Sequence, residues 1–251
     1  MYTFFDVDGK TIINKIEFIK KYNAYYYTGM GKNSCFYQNH KDFVIVKRNS
    51  IVAESLIEKY LFEGFVEEDV RNILAWKIGK INNYETEKTN SIVLSWKDLK
   101  KANICKGQYC NIKKISKIIM TIKNQVNKNN DILCEAEQIF NKFNEYKDDF
   151  IGIGPTYRVA IVYFLLKGRF PIYDQFAGRA IKAIIMDKQP GTEIDSIAIL
   201  PNSKTKYTGI EILKELTPFI ESIKKIFGDE YYSSRDVDRA LWVYGHMYKK
   251  V

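Results

Sequence analysis

Histidine is nearly missing from this chain: among 251 residues only His40 and His246 carry an imidazole. Cysteine is almost as scarce, with Cys35, Cys105, Cys110 and Cys134 and no Cys-x-x-Cys pair among them. Without paired histidines or closely spaced cysteines there is no zinc-ligand pattern, and four scattered thiols in a chain this long do not read as a disulfide scaffold. Reduced thiols in a cytoplasmic protein are the expectation. No apolar run approaches the roughly 20 residues that a bilayer span needs. The opening Met1-Tyr2-Thr3-Phe4-Phe5-Asp6 lacks the basic start and apolar stretch of a secretory signal. No internal repeat is visible.

What is there is an ordinary globular balance, 46% hydrophobic and 27% charged, long enough to bury a good core. The net charge of +9 favours a polyanionic partner such as nucleic acid. A solvated lysine coat explains the same number, and charge alone leaves the two readings even.

Along the chain, Ile12 to Tyr22 has the spacing of a short helix. Tyr25-Tyr26-Tyr27, Cys35-Phe36-Tyr37 and Phe43-Val44-Ile45-Val46 read as strands of a small sheet. From about Val52 the apolar period becomes helical. Helices are expected near 52–63, 67–80, 112–126 and 131–146, the last with Asp131 as N-cap. Residues 82–90 read as a polar connection, and Lys97 to Cys110 as a short basic stretch. A helix from Pro155 stops at Gly168, another starts at Asp174, and 187–206 read as a loop. A helix over 207–227 is interrupted or bent near Pro218, and Ser233 with Asp236 forms a capping box for a last helix. The fold class expected is mainly α (α+β). Residues 1–51 form a small β-containing appendage, and 52–251 a helical core.

One stretch carries chemistry. In Asp149-Phe150-Ile151-Gly152-Ile153-Gly154-Pro155 two glycines precede a helix start, so unpaired backbone N–H groups can meet a phosphate. Taken alone, Gly-x-Gly before a helix is more often an ordinary turn. Downstream, Pro171-Ile172-Tyr173-Asp174 places a carboxylate 20 positions after Gly154. Arg179 follows five positions later.

Hairpin, apolar helix, proline, carboxylate and arginine in this order resemble the helix-hairpin-helix DNA glycosylases, whose hairpin usually reads Leu-Pro-Gly-Val-Gly. The resemblance is strong over roughly residues 135–185, with the helix-hairpin-helix at about 135–167, and loose over the last helix. It implies a helical glycosylase core, a double-stranded DNA partner carrying a modified base, no membrane partner and a monomer. It requires no cofactor, with a monovalent cation at the hairpin as an option when DNA is bound. Asp174 takes the place of the catalytic carboxylate. Gly152, Gly154, Thr156, Arg158, Lys167 and Arg179 fall where DNA-backbone contacts are expected. Ile151 stands where the hairpin proline is usual. Thr156 stands where lyase-capable members carry a lysine nucleophile, so a Schiff base with the sugar is not expected. Lys167 and Lys182 read better as surface lysines than as substitutes. No cysteine follows Cys134, so the iron–sulfur cluster of one family branch is absent.

The chemistry implied is hydrolysis of a base–sugar bond. A carboxylate facing C1′ stabilises the developing positive charge and orients water. Asp at a helix start also caps that helix, and both roles can coexist in Asp174. A flipped base needs apolar walls, and Tyr173, Trp242, Tyr244 and His246 are the candidates, although aromatics at helical spacing more often fill cores. The competing readings are a non-catalytic DNA-binding protein that keeps the hairpin, and a helical protein whose glycine turn is coincidental.

Overall fold

Apolar side chains at helical spacing produce a mainly helical chain. The computed structural model describes residues 2–30, 50–63, 67–95, 112–126, 131–150, 153–194 and 208–250. In order these hold β1 (Phe4–Phe5), β2 (Ile12–Ile13), α1 (Lys15–Thr28), α2 (Ile51–Glu63), α3 (Glu67–Lys77), α4 (Asn83–Thr89), α5 (Ile112–Gln125), α6 (Ile132–Glu145), α7 (Pro155–Leu165), α8 (Gln175–Ile185), β3 (Glu193–Ile194), α9 (Gly209–Phe227), α10 (Arg235–Gly245) and β4 (Lys249–Lys250). Cys35-Phe36-Tyr37, Phe43 to Val46, Trp96 and Lys97 to Cys110 lie outside the described residues.

The chain divides into two compact units. One joins Met1–Asn49, Tyr173–Ile199 and Leu216–Val251; the other joins Ser50–Ile172 and Leu200–Glu215. The described part of the N-terminal stretch, residues 2–30, belongs to the same unit as α8 and α10.

In the first unit β1 and β2 pair antiparallel, Phe4 against Ile13. The turn between them is closed by Asp8, which accepts from the Lys10 and Thr11 amides and the Thr11 hydroxyl. Those bonds favour the ionised form and hold the Asp8 carboxyl down at about 2. α1 packs on α10, and α10 on α8. Their common core is aromatic: the Phe18 ring lies 4.9 Å from Phe4, 5.0 Å from Tyr244 and 5.9 Å from Phe227. Lys15 Nζ donates to Phe227 O at 2.6 Å, which sets a cation at the C-terminal end of α9.

The strand expected at Tyr25–Tyr27 is instead the last turn of α1. Phe18, Tyr22 and Tyr26 are buried at four-residue spacing, so one helical stripe meets the core. Side-chain packing outweighs the strand preference of tyrosine. Asn14 caps the start by accepting from Glu17 N, and Gly29 at φ 73 ends the helix.

The second unit is built around α7, whose Val159 to Phe164 are all buried. α3 packs on α5 and α7, α2 on α4 and α7, and α6 on α5 and α7. Trp76 Nε1 donates to the buried carboxylate of Glu54 at 2.6 Å, while its ring meets Phe164 edge-on. The segment expected as a polar connection at 82–90 holds α4, begun by Asn82, whose side chain accepts from Glu85 N, and ended by Asn90 at φ 50.

α9 runs from Gly209 to Phe227 with Pro218 inside it, so the helix is not interrupted there. The last helix starts one residue later than the Ser233 capping box implies. Ser234 occupies the N-cap without a side-chain bond, and Arg235 pairs instead with Asp238 inside the first turn.

Candidate functional site

The glycine turn lies in the second unit. α6 begins at Asp131, which accepts from Leu133 N at 2.9 Å, and it ends at Glu145. Its Phe143 ring lies 5.0 Å from Phe150, and Ile153 N donates to Phe150 O at 3.0 Å. Gly152 lies outside the described residues. Gly154 is the N-cap of α7 with φ −68 and ψ 169, a conformation any residue adopts. A Cβ there would meet nothing within 4 Å, so the missing side chain leaves space in front of the helix start. Pro155 takes the first helical position, and the first turn carries neither an acidic residue nor a side-chain cap bond. The positive end of α7 therefore lacks a carboxylate of its own.

The basic residues around this turn are less free than their spacing suggested. Arg158 Nε donates to Ile153 O at 3.1 Å, and its guanidinium sits 5.6 Å from the Phe150 ring. It braces the turn, and burial pulls its pKa below the ordinary value. Thr156 is half-buried at the second helical position, whereas Lys167 is exposed. Lys167 ends α7 at φ 52, with its amide bonded to Phe164 O and that of Gly168 to Tyr163 O. This paired closure usually takes glycine at the left-handed position. Two ion pairs fix the surroundings: Lys114 to Asp149 at 2.5 Å and Arg169 to the buried Glu135 at 2.8 Å.

Asp174 lies in the first unit, where it is the N-cap of α8. Its Oδ1 accepts from Phe176 N at 2.8 Å and from Ala177 N at 3.0 Å. Asp174 thus caps α8, and the two amide bonds orient its carboxylate. One turn on, Arg179 is 6% exposed. Its Nη1 donates to Tyr248 O at 2.9 Å, and its guanidinium lies 5.3 Å from the Phe176 ring. Its Nε is buried without a hydrogen-bond partner among the described residues. Burial lowers the Arg179 pKa, against the opposing pull of Asp174.

The other face of this group comes from α10. The His246 ring stacks on Phe176 with centroids 3.5 Å apart and planes 17° from parallel. Its Nδ1 meets Trp242 O at 2.7 Å. Burial pushes its pKa below 6.5, offset in part by the Trp242 carbonyl and by Asp174 and reinforced by Arg179. Trp242 is half-buried, edge-on to Tyr26 at 5.4 Å and to Phe176 at 6.1 Å.

Tyr173 and Tyr244 stand apart from these two. Tyr173 is buried edge-on to Phe219 and packs over Gly178. Tyr244 is buried among Phe18, Tyr22 and Tyr248, and burial pushes its phenol up to about 12. Both side chains are buried in the core. Trp242 and His246 both pack against Phe176, two residues after Asp174.

Compared with protein-family models, curated proteins and solved structures, the chain matches none of them.

The functional reading therefore rests on local geometry. The first unit brings Asp174, Arg179, Trp242 and His246 together; the second holds Gly154, Thr156, Arg158 and Lys167. Two participants had no signal of their own in the sequence. Phe176 is the plate on which His246 and Arg179 lie. Gly245 lets α10 approach α8, since a Cβ there would fall 1.9 Å from Phe176 O. Among the described residues no group of three or more His, Cys, Asp or Glu is placed to hold a metal ion, and no helix is long and apolar enough to cross a membrane.

Proposed function

We propose that this chain is a DNA glycosylase of the helix-hairpin-helix class, hydrolysing the bond between a flipped, modified base and its sugar. The observation that supports it most is the fixed carboxylate. Asp174 is pinned by two amides, with a buried arginine, Arg179, and a half-buried histidine, His246, as its neighbours. A carboxylate held in this way can face a developing positive charge at C1′ without first reorganising. The α7 start, with no acidic residue in its first turn and space where a side chain would be, suits a DNA phosphate. The net charge of +9 suits the same partner. Thr156 supplies no amine, so the reaction is hydrolysis by water rather than lyase chemistry.

The second reading, a non-catalytic DNA-binding protein, draws on the same cap: Asp174 would then serve α8 alone. The readings separate on a panel of duplexes carrying oxidised guanine, methylated purine, uracil or hypoxanthine, treated with hot alkali. The glycosylase reading expects strand breaks at one lesion class and no borohydride-trapped adduct. Salt-sensitive binding with no abasic sites from any lesion would leave only the second reading.

A further inference from the structure

His246 is one of two histidines in the chain, and its surroundings determine its protonation pattern. A carbonyl oxygen only accepts, so the 2.7 Å contact with Trp242 O requires a hydrogen on Nδ1. In a neutral imidazole, Nε2 is then an acceptor with an available lone pair. Among the described residues, the polar and charged groups acting on the ring come from α10 (Trp242 O) and from α8 (Asp174 at its cap and Arg179 within it). The stack on Phe176 holds the ring plane, and the Phe176 amide itself binds Asp174. Gly245, next in the chain, lets the two helices approach closely enough for this stack.

We infer that His246 is a positioning residue for the hydrolytic water, offering Nε2 as a second acceptor beside Asp174. The water donates one O–H to Asp174 and the other to Nε2, which turns an oxygen lone pair toward the sugar. The water oxygen bonds to C1′ as the C1′–N bond breaks, and that electron pair leaves with the base. The water proton passes to Asp174, and the departing base takes a proton from solvent. This rests on the reading of Asp174 as the catalytic carboxylate. Burial disfavours the imidazolium, so Nε2 is an acceptor at neutral pH; acid converts it to a donor and reverses its effect on the water.

Two substitutions and one spectrum test it. His246→Asn keeps a donor for Trp242 O but has nothing at the Nε2 position, whereas His246→Gln reaches that position with an amide oxygen. Using the duplex lesion that the panel selects, single-turnover base release by His246→Asn falls on the order of 10²-fold, as misplacement of a reacting group does, with duplex affinity unchanged. His246→Gln recovers part of the rate and loses the ionisation that His246 gives to the acid side of the pH profile. Nitrogen NMR of the free protein should find the Nδ1–H tautomer, and Asp174→Asn should lower the His246 pKa further. An Nε2–H tautomer, a His246 titration indifferent to Asp174→Asn, or parental rates in His246→Asn would each overturn the inference. If Asp174→Asn alone abolishes release, the glycosylase reading stands and the role of His246 falls. If no lesion is released by the parent protein, both fall together.

Discussion

α7 and α8 begin alike and are electrically opposite. Each is an 11-residue helix that carries a buried or half-buried arginine lying against a phenylalanine and tied to a backbone carbonyl: Arg158 with Phe150 and Ile153 O, Arg179 with Phe176 and Tyr248 O. At α7 the cap is Gly154, which has no side chain to satisfy the first amides. At α8 the cap is Asp174, whose carboxylate takes two of them. One helix start has no carboxylate at its cap or in its first turn, and the other carries its own at the cap. On the proposed reading the two features take separate tasks: holding a phosphate, and holding a carboxylate still.

The strongest way to break that comparison is at Asp174. Asp174→Asn keeps a capping oxygen and loses the charge, so base release falls about 10²- to 10⁴-fold while the urea midpoint stays put. Asp174→Ala loses the cap as well, at a cost of about 1 kcal/mol. Equal stability of the two variants would show that the cap is unimportant.

Arg158 comes next. Arg158→Ala removes a charged hydrogen bond to Ile153 O and lowers stability by about 1.5–3 kcal/mol in urea unfolding. Parental stability with weaker DNA binding would move Arg158 from bracing the turn to contacting phosphate.

Gly245→Ala forces α10 away from Phe176 O. Overpacking of this kind costs about 1–3 kcal/mol, and the His246 ring resonances should shift as the stack opens. Unchanged resonances would mean that the two helices approach without need of the glycine.

The smallest effect is at Lys167, held at φ 52. Lys167→Gly relieves the left-handed backbone and stabilises by about 0.5–1 kcal/mol. If Lys167 also touches a phosphate, the salt slope of DNA binding falls by about 1, so one variant reads both roles.

Local chemistry made much of this legible in the sequence. Asp131, Pro155 and Asp174 mark helix starts through side chains that act on their own neighbours, and each helix begins where those residues place it. The stop after Leu165 was equally readable from Gly168. Elements decided by distant packing were not. Tyr25–Tyr27 has strand composition, but Tyr22 and Tyr26 find Tyr244 and Trp242 on α10, and that contact selects the helix. Asn83–Thr89 lacks an apolar stripe, and its helix depends on Asn82 and Asn90 at its ends. Arg158 had the right charge and spacing for phosphate, yet nothing in the sequence said that its Nε would fold back on Ile153 O. Gly245 had no local purpose at all, because the backbone it approaches lies some 70 positions earlier.

That approach has a mechanical consequence. Where two helices meet backbone to backbone, as at Gly245 and Phe176, the contact has no side-chain end that can swing aside to absorb an added atom. The placing of His246 against Phe176 therefore follows from the path of the two backbones as well as from the rotamer of the ring.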